Sequence, residues 1–114
     1  TGFIHGSILR NYLILCDLCV VPSVYQEPAA LVPLEAMGVG LPVIITDVGG
    51  IKEYYDGKSL LKVSTKNLIQ NLYNKINFLR KNPKLLKKLK INGPKLAKKY
   101  QRKDFYFNFT NIFK

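Results

Sequence analysis

Apolar and polar positions divide the first half of the chain into short alternating segments. Ser7 to Cys16 places Ile8, Leu9, Tyr12, Leu13 and Cys16 at helical spacing, which predicts a helix with one inward face. Thr1 to Ile4 reads as the end of a preceding strand. Leu18 to Pro22 reads as a strand covered on both faces, because its apolar run is continuous and closes on proline. A polar loop, Ser23 to Glu27, leads into the helix formers Ala30 to Met37. Pro33 fits a first turn where its missing amide proton is not needed, and Gly38 with Gly40 stops the helix. Pro42 opens the β-branched strand Val43 to Thr46. Asp47 to Gly50 then makes a glycine turn, Ile51 to Tyr55 a short helix, Asp56 to Lys58 another turn, and Leu60 to Val63 a last strand. Four strands with intervening helices predict an α/β fold built on a parallel sheet.

The second half reads as helical. Ser64 or Thr65 is placed to cap a helix running to about Lys81, with Leu68, Ile69, Leu72, Tyr73, Ile76 and Leu79 on its buried side. Asn82 and Pro83 restart a second helix, which carries Leu85, Leu86, Leu89, Leu96 and Ala97 beneath a lysine coat. Gly93 and Pro94 are expected to break or kink it. Phe105, Tyr106, Phe107, Phe109, Ile112 and Phe113 give an apolar terminus that is expected to dock on something.

With 114 residues, 47% of them hydrophobic, the chain supports one thin core and excludes a two-domain enzyme. Its opening at Thr1 suggests a piece of something longer. The runs Leu13 to Cys16 and Leu18 to Pro22, split by Asp17, fall short of the ~20 residues a membrane helix needs. Cys16 and Cys19 cannot define an extracellular disulfide framework, which points to a reducing compartment. With His5 as the only histidine they do not complete a closed zinc site either, and packing at a helix end and the adjoining strand is the favoured reading. Asp17, Asp47 and Asp56 fall on separate loops and form no metal cluster.

Net charge divides the chain. Residues 1 to 57 carry two basic residues against six acidic ones, a net −4, whereas residues 58 to 114 carry 16 basic residues against Asp104 alone, a net +15. The basic half should attract anionic surfaces over a screening distance of about 8 Å at physiological salt. Its runs from Lys81 and from Lys95 are a candidate patch for nucleic acid or anionic lipid, and are equally compatible with a solvated face over buried leucines. Nucleic acid is the poorer fit, because no Cys/His finger or glycine-aromatic RNA motif accompanies them.

Glu27 and Glu35 are the candidate chemistry. One lies in the loop after a strand and the other inside the following helix. Their offset of eight corresponds to about 80° on a continuous helix, so both can border one cleft. Ligands enter open α/β sheets at the carboxyl ends of the strands. A carboxylate there can accept two hydrogen bonds from vicinal hydroxyls. The nearby helix start and the amides around Gly49 and Gly50 offer donors to a phosphate. From spacing alone the two glutamates are equally compatible with solvated surface residues, and the glycine pair with a plain turn.

The text GFI at Gly2, CDLCVVPS at Cys16, EPAALVPLEAMGVGLPVI at Glu27 and TDVGGIKEYYDG at Thr46 resembles the family 4 glycosyltransferases, retaining enzymes of the two-domain GT-B fold. The resemblance covers nearly the whole chain in order and is most specific from Pro22 to Glu53. It implies a Rossmann-like parallel sheet flanked by helices, the distal part of an incomplete GT-B carboxyl-terminal domain. Residues 1–99 would be the partial donor-binding domain, and residues 100–114 a terminal helix packing on an absent amino-terminal domain.

The resemblance assigns Glu35 to the ribose hydroxyls of a nucleoside diphosphate sugar, and Glu27, the catalytic candidate, to the sugar ring near the reacting centre. Pro28, Ala29, Ala30, Leu31 and Val32 would line the sugar and diphosphate, and Gly2, Phe3 and Ile4 would lie beside the base. No further cofactor and no metal is implied. The family pattern after the first glutamate is proline, an aromatic residue and glycine. Here Ala29 removes a bulky wall, and Ala30 reaches positive φ less cheaply than glycine. The basic pair that holds the diphosphate in the family does not precede Gly2, and Arg10 in the first helix is no substitute for it.

The expected function is therefore part of a retaining glycosyltransferase that moves a hexose-like sugar to a glycan, lipid or small acceptor. It would be cytoplasmic or peripheral at the inner face of a membrane, and this piece alone would be catalytically silent. A non-catalytic sugar-nucleotide-binding or structural module and a basic membrane- or nucleic-acid-binding protein are the alternatives.

Overall fold

The computed structural model describes residues 1–26, 31–53 and 55–100. In chain order it has α1 (Gly6–Ile14), β1 (Cys19–Val21), α2 (Leu31–Gly38), β2 (Val43–Thr46), a 3-10 helix (Gly49–Glu53), β3 (Leu61–Val63), α3 (Leu68–Arg80) and α4 (Pro83–Lys99). The sheet is parallel, in the order β1-β2-β3, with Val20 opposite Ile44 and Ile45 opposite Lys62. The α/β architecture with helices against a parallel sheet is thus the one expected.

The central strand explains the layering. β2 is buried along its whole length, and its side chains alternate between two cores, as a period of two requires. Val43 and Ile45 join Ala36, Met37, Leu41, Ile51, Leu60 and Leu96 on one face. Ile44 joins Val63, Leu79 and Leu89 on the other. α4 supplies Leu89 to one cluster and Leu96 to the other. Seven residues of helix advance about 10 Å, close to the spacing between stacked layers, so one helix reaches both sides of the sheet.

Gly93 lies between these two leucines and is itself buried. A Cβ there would stand 3.4 Å from the Cβ and Cγ of Met37, so the crossing of α4 and α2 has room for one further carbon and no more. Gly93 and Pro94 do not break the helix: α4 is continuous through Pro94. Proline cannot donate to the carbonyl four residues earlier, that of Lys90. That oxygen faces the turn after α2, where it would lie 3.7 Å from a Cβ on Gly40, a residue held at φ +82°. The start of α4 is as expected, with Asn82 before it and Pro83 in its first turn.

Other expectations are corrected. Thr1 to Ile4 is not a strand, because Gly2 at φ +70° leaves the extended region. Among the described residues three strands remain, and β1 is an edge strand that is only half-buried rather than covered on both faces. Neither Ser64 nor Thr65 caps α3. The helix begins at Leu68 after Asn67, which takes a left-handed φ of +53° and makes no side-chain cap, while Ser64 Oγ accepts the Lys66 amide in a local turn. On α3, Leu79 is buried and Leu68 and Leu72 are partly so, but Ile69, Tyr73 and Ile76 are exposed. The expected helix at Ile51–Tyr55 is instead the 3-10 segment beginning two residues earlier. The terminal helix and its aromatic stripe from Phe105 lie outside the described residues.

Candidate functional site

The carboxyl ends of the three strands fall at Val21, Thr46 and Val63, and two contacts fasten the loops that leave the first two. Thr46, the last residue of β2, is fully buried, and its hydroxyl donates to the Ser23 carbonyl, with the Val21 carbonyl 3.4 Å away. The Gly49 amide donates to Gln26 Oε1 at 3.0 Å. The loop after β1 is therefore pinned to β2 and to the glycine turn just before α2 begins. Gly49 stands at φ +62°, a conformation glycine supplies without steric cost. Because its amide is engaged by Gln26, the expectation that Gly49 offers a donor to a phosphate is corrected.

Helix α2 turns Pro33, Ala36 and Met37 into the core. This fixes its open side, where Leu31, Val32 and Glu35 are all exposed. Leu31 and Glu35 are four apart and lie one above the other, with Val32 beside them. Three of the sequence-derived site residues thus share one face. Glu27, Pro28, Ala29 and Ala30 lie outside the described residues. Gly2, Phe3 and Ile4 are placed in irregular backbone before α1, with Phe3 92% exposed and its ring edge-on to His5 at 5.9 Å between centroids.

The charged groups nearby are already engaged. Lys62 reaches Asp47 at 3.4 Å and stands 4.3 Å from the centre of the Tyr55 ring. Asp47 also extends the β2–β3 ladder through its amide, which donates to the Val63 carbonyl at 2.9 Å. An open hollow of about 330 Å³ lies beside this pair, lined by Lys62, Val63, Ser64, Asn71, Asn74 and Lys75. It includes no residue of α2, and nothing in its lining resembles the expected carboxylate site.

Cys16 is exposed rather than packed, and its thiol donates to the Tyr12 carbonyl at 3.3 Å. Cys19 is half-buried; burial, and secondarily Cys16, push its thiol up from the ordinary value, which disfavours the nucleophilic thiolate. Among the described residues, no three His, Cys, Asp or Glu side chains gather into a metal-binding group. No helix there is long and apolar enough to cross a membrane.

Sequence reasoning missed Gln26 and Thr46. A threonine ending a β-branched strand at the ligand edge was a readable signal for the second; nothing in the sequence singled out Gln26.

An open parallel sheet with helices packed against it is a Rossmann-like α/β unit, and its structural neighbours are GT-B glycosyltransferases. Sucrose-phosphate synthase from Thermosynechococcus elongatus superposes with a TM-score of 0.83 at 29% identity, over 99% of this chain and 28% of that one. Anabaena HepE, solved in complex with UDP, superposes with a TM-score of 0.71 at 27% identity, over 77% of this chain and 24% of that one.

The glycosyl transferases group 1 model matches residues 1–96, and the chain belongs to that family. An uncharacterized glycosyltransferase of Methanocaldococcus jannaschii is 46% identical over 52 residues, or 46% of this chain and 13% of the relative. A second from the same organism is 37% identical over 93 residues, covering 81% of this chain and 26% of the relative. The chain thus spans 13% and 26% of these two curated relatives.

Proposed function

We propose that the chain forms the distal part of the donor-binding domain of a retaining, family 4 glycosyltransferase. The protein carrying it would move a hexose-like sugar from a nucleoside diphosphate sugar to a glycan, lipid or small acceptor. One observation carries this reading: Glu35 stands exposed beside Leu31 and Val32 on the one side of α2 that the core leaves open.

In this reading the Glu35 carboxylate accepts hydrogen bonds from both ribose hydroxyls, a charge-assisted pair. Glu27, in the approach loop, contacts the sugar ring. The segment Pro28 to Val32 lines the sugar and diphosphate, and the start of α2 faces the negative charge that grows as the nucleoside diphosphate leaves. Stabilisation realised mainly in the transition state is what accelerates the step. Two features support a donor of this class: HepE is a structural neighbour solved with UDP, and the loops after β1 and β2 are tied together ahead of α2. The two free cysteines suit a reducing, cytoplasmic setting. An acceptor must approach the same anomeric centre from another domain, so the 114-residue chain by itself is expected to give no turnover.

Calorimetric titration of the protein carrying this chain with UDP, GDP and ADP tests the reading. One of the three is expected to bind, and Glu35→Ala to weaken it at least tenfold, the scale of a lost hydrogen bond to a charged group. Unchanged affinity in Glu35→Ala would remove the proposed ribose contact, and robust sugar transfer by the isolated chain would contradict the division of labour.

A further inference from the structure

We propose that the hollow beside β3 binds a small anionic polyol, a monosaccharide carrying one phosphate or carboxylate. β3 ends the sheet: β2 pairs with it on one side, and among the described residues no strand lies on the other. The Val63 carbonyl accepts the Asp47 amide and so faces β2. Successive residues of a strand turn their peptide groups to opposite sides, which directs the amide and carbonyl of Lys62 to the open edge, where a ligand can reach them. Helix α3 runs alongside, and Asn71 with Asn74 and Lys75, three and four residues on, gives it a polar face on the hollow. At about 330 Å³ the hollow is at the low end of the range for small-molecule sites, about 300–1,000 Å³.

Hydrogen bonds within the lining decide which of its groups are left for a ligand. Asn71 Nδ2 donates to the Lys66 carbonyl at 2.7 Å, with the Ser64 carbonyl at 3.4 Å, which holds the amide in place and leaves Oδ1 to accept. Asn74 is the converse: its Oδ1 accepts from Gln70 Nε2 at 2.9 Å, and its own amide nitrogen is left to donate. Ser64 Oγ accepts the Lys66 amide and keeps its proton for another acceptor. Lys62 is paired with Asp47, whereas the half-buried Lys75 has no acidic partner among the described residues. The hollow therefore offers one uncompensated positive charge among neutral donors and acceptors. A single anionic group on a polyhydroxyl body matches both, the anion on Lys75 and the hydroxyls on the amides and Ser64. A divalent cation would need carboxylate oxygens, and the lining has none. Strand addition by a peptide is disfavoured, because β3 is three residues long and carries a lysine. The inference is independent of the nucleotide-sugar reading, since no residue of α2 borders the hollow.

Calorimetric titration of the purified protein carrying this chain, in phosphate-free buffer, with glucose 6-phosphate, glucuronate, glucose and inorganic phosphate tests the proposal. One or both of the anionic sugars should bind, the tighter of the two identifying the anionic group, and each that binds should do so at least about tenfold more tightly than glucose or inorganic phosphate. Lys75→Gln should weaken binding about tenfold or more, the scale of a hydrogen bond to a charged group, and Asn74→Ala about fivefold. Lys84→Gln removes the same charge from the exposed side of α4 and should cost less than about twofold. Circular dichroism and urea midpoints matching the parent would show that the variants fold. An excess of UDP, GDP and ADP together should not displace the bound sugar. Displacement by them would place the sugar at the α2 site and overturn the proposal. So would no binding of either anionic sugar, inorganic phosphate binding as tightly as the sugars, full affinity in Lys75→Gln, or an equal loss in Lys84→Gln.

Discussion

Helix α1 buries none of its residues, whereas α4, with a comparable two-sided pattern, buries Leu89, Gly93 and Leu96. The difference lies in what stands opposite. α4 meets α2 along one half and α3 with β3 along the other, and at the crossing Gly93 faces Met37. α1 reaches the core through Leu13, while Ile8, Tyr12 and Ile14, and Leu15 just after the helix, remain exposed. A periodic apolar pattern therefore chooses which face of a helix is available for burial; it does not supply the surface that buries it. Most of the stability of a helix in a protein comes from that second ingredient.

The comparison breaks most readily at Met37. Met37→Ala empties a fully buried site and should cost about 2–5 kcal/mol, whereas Ile8→Ala on α1 should stay within about 0.5 kcal/mol; urea unfolding of both variants measures the contrast. A large Ile8 effect would mean that α1 is covered by something in solution.

The crossing itself is sharpened by two substitutions at one position. Gly93→Leu forces side-chain volume against Met37 and should destabilise by about 1–3 kcal/mol. Gly93→Ala adds one carbon at ordinary contact distance and gains helix propensity, so it should be neutral or stabilising by up to about 1 kcal/mol, read from thermal midpoints.

The smallest effect is expected at the turn before β3. Burial pushes the Asp56 carboxyl up, but hydrogen bonds from the Ser59 hydroxyl and from the Lys58 and Ser59 amides outweigh it and hold the carboxyl below its ordinary range. A folded-state value below the unfolded one contributes stability above the unfolded value, and that contribution is lost as pH falls through the folded value. Asp56→Asn keeps the acceptor and removes the charge. It should cost no more than about 1 kcal/mol at neutral pH, and its difference from the parent should narrow as pH drops below about 4, in urea titrations at each pH.

Much of this architecture was legible from the sequence. The β-branched run at Val43, the glycines after Met37 and the Asn82–Pro83 restart each encode a local conformation, and each element formed close to its expected place. What failed was set by distant partners. Ile69, Tyr73 and Ile76 continue a helical apolar pattern, yet they are exposed, with no layer opposing them among the described residues. Pro94 predicts a break or a kink because its local cost is plain, whereas the helix is continuous through it, with Leu89 and Leu96 packed on two sides of the sheet. At the candidate site, the exposure of Leu31 and Val32 beside Glu35 does not follow from their apolar character. The engagement of Gly49 by Gln26 depends on a contact across 23 residues, which no local signal encodes.

Tyr100 donates its hydroxyl to the Glu53 carbonyl at 2.9 Å, across 47 residues of chain. The last turn of α4 is thereby moored to the 3-10 segment that follows the glycine turn. Tension applied to the polypeptide beyond Tyr100 is delivered to Gly49–Glu53, making that tyrosine a mechanical handle on the rim of the sheet.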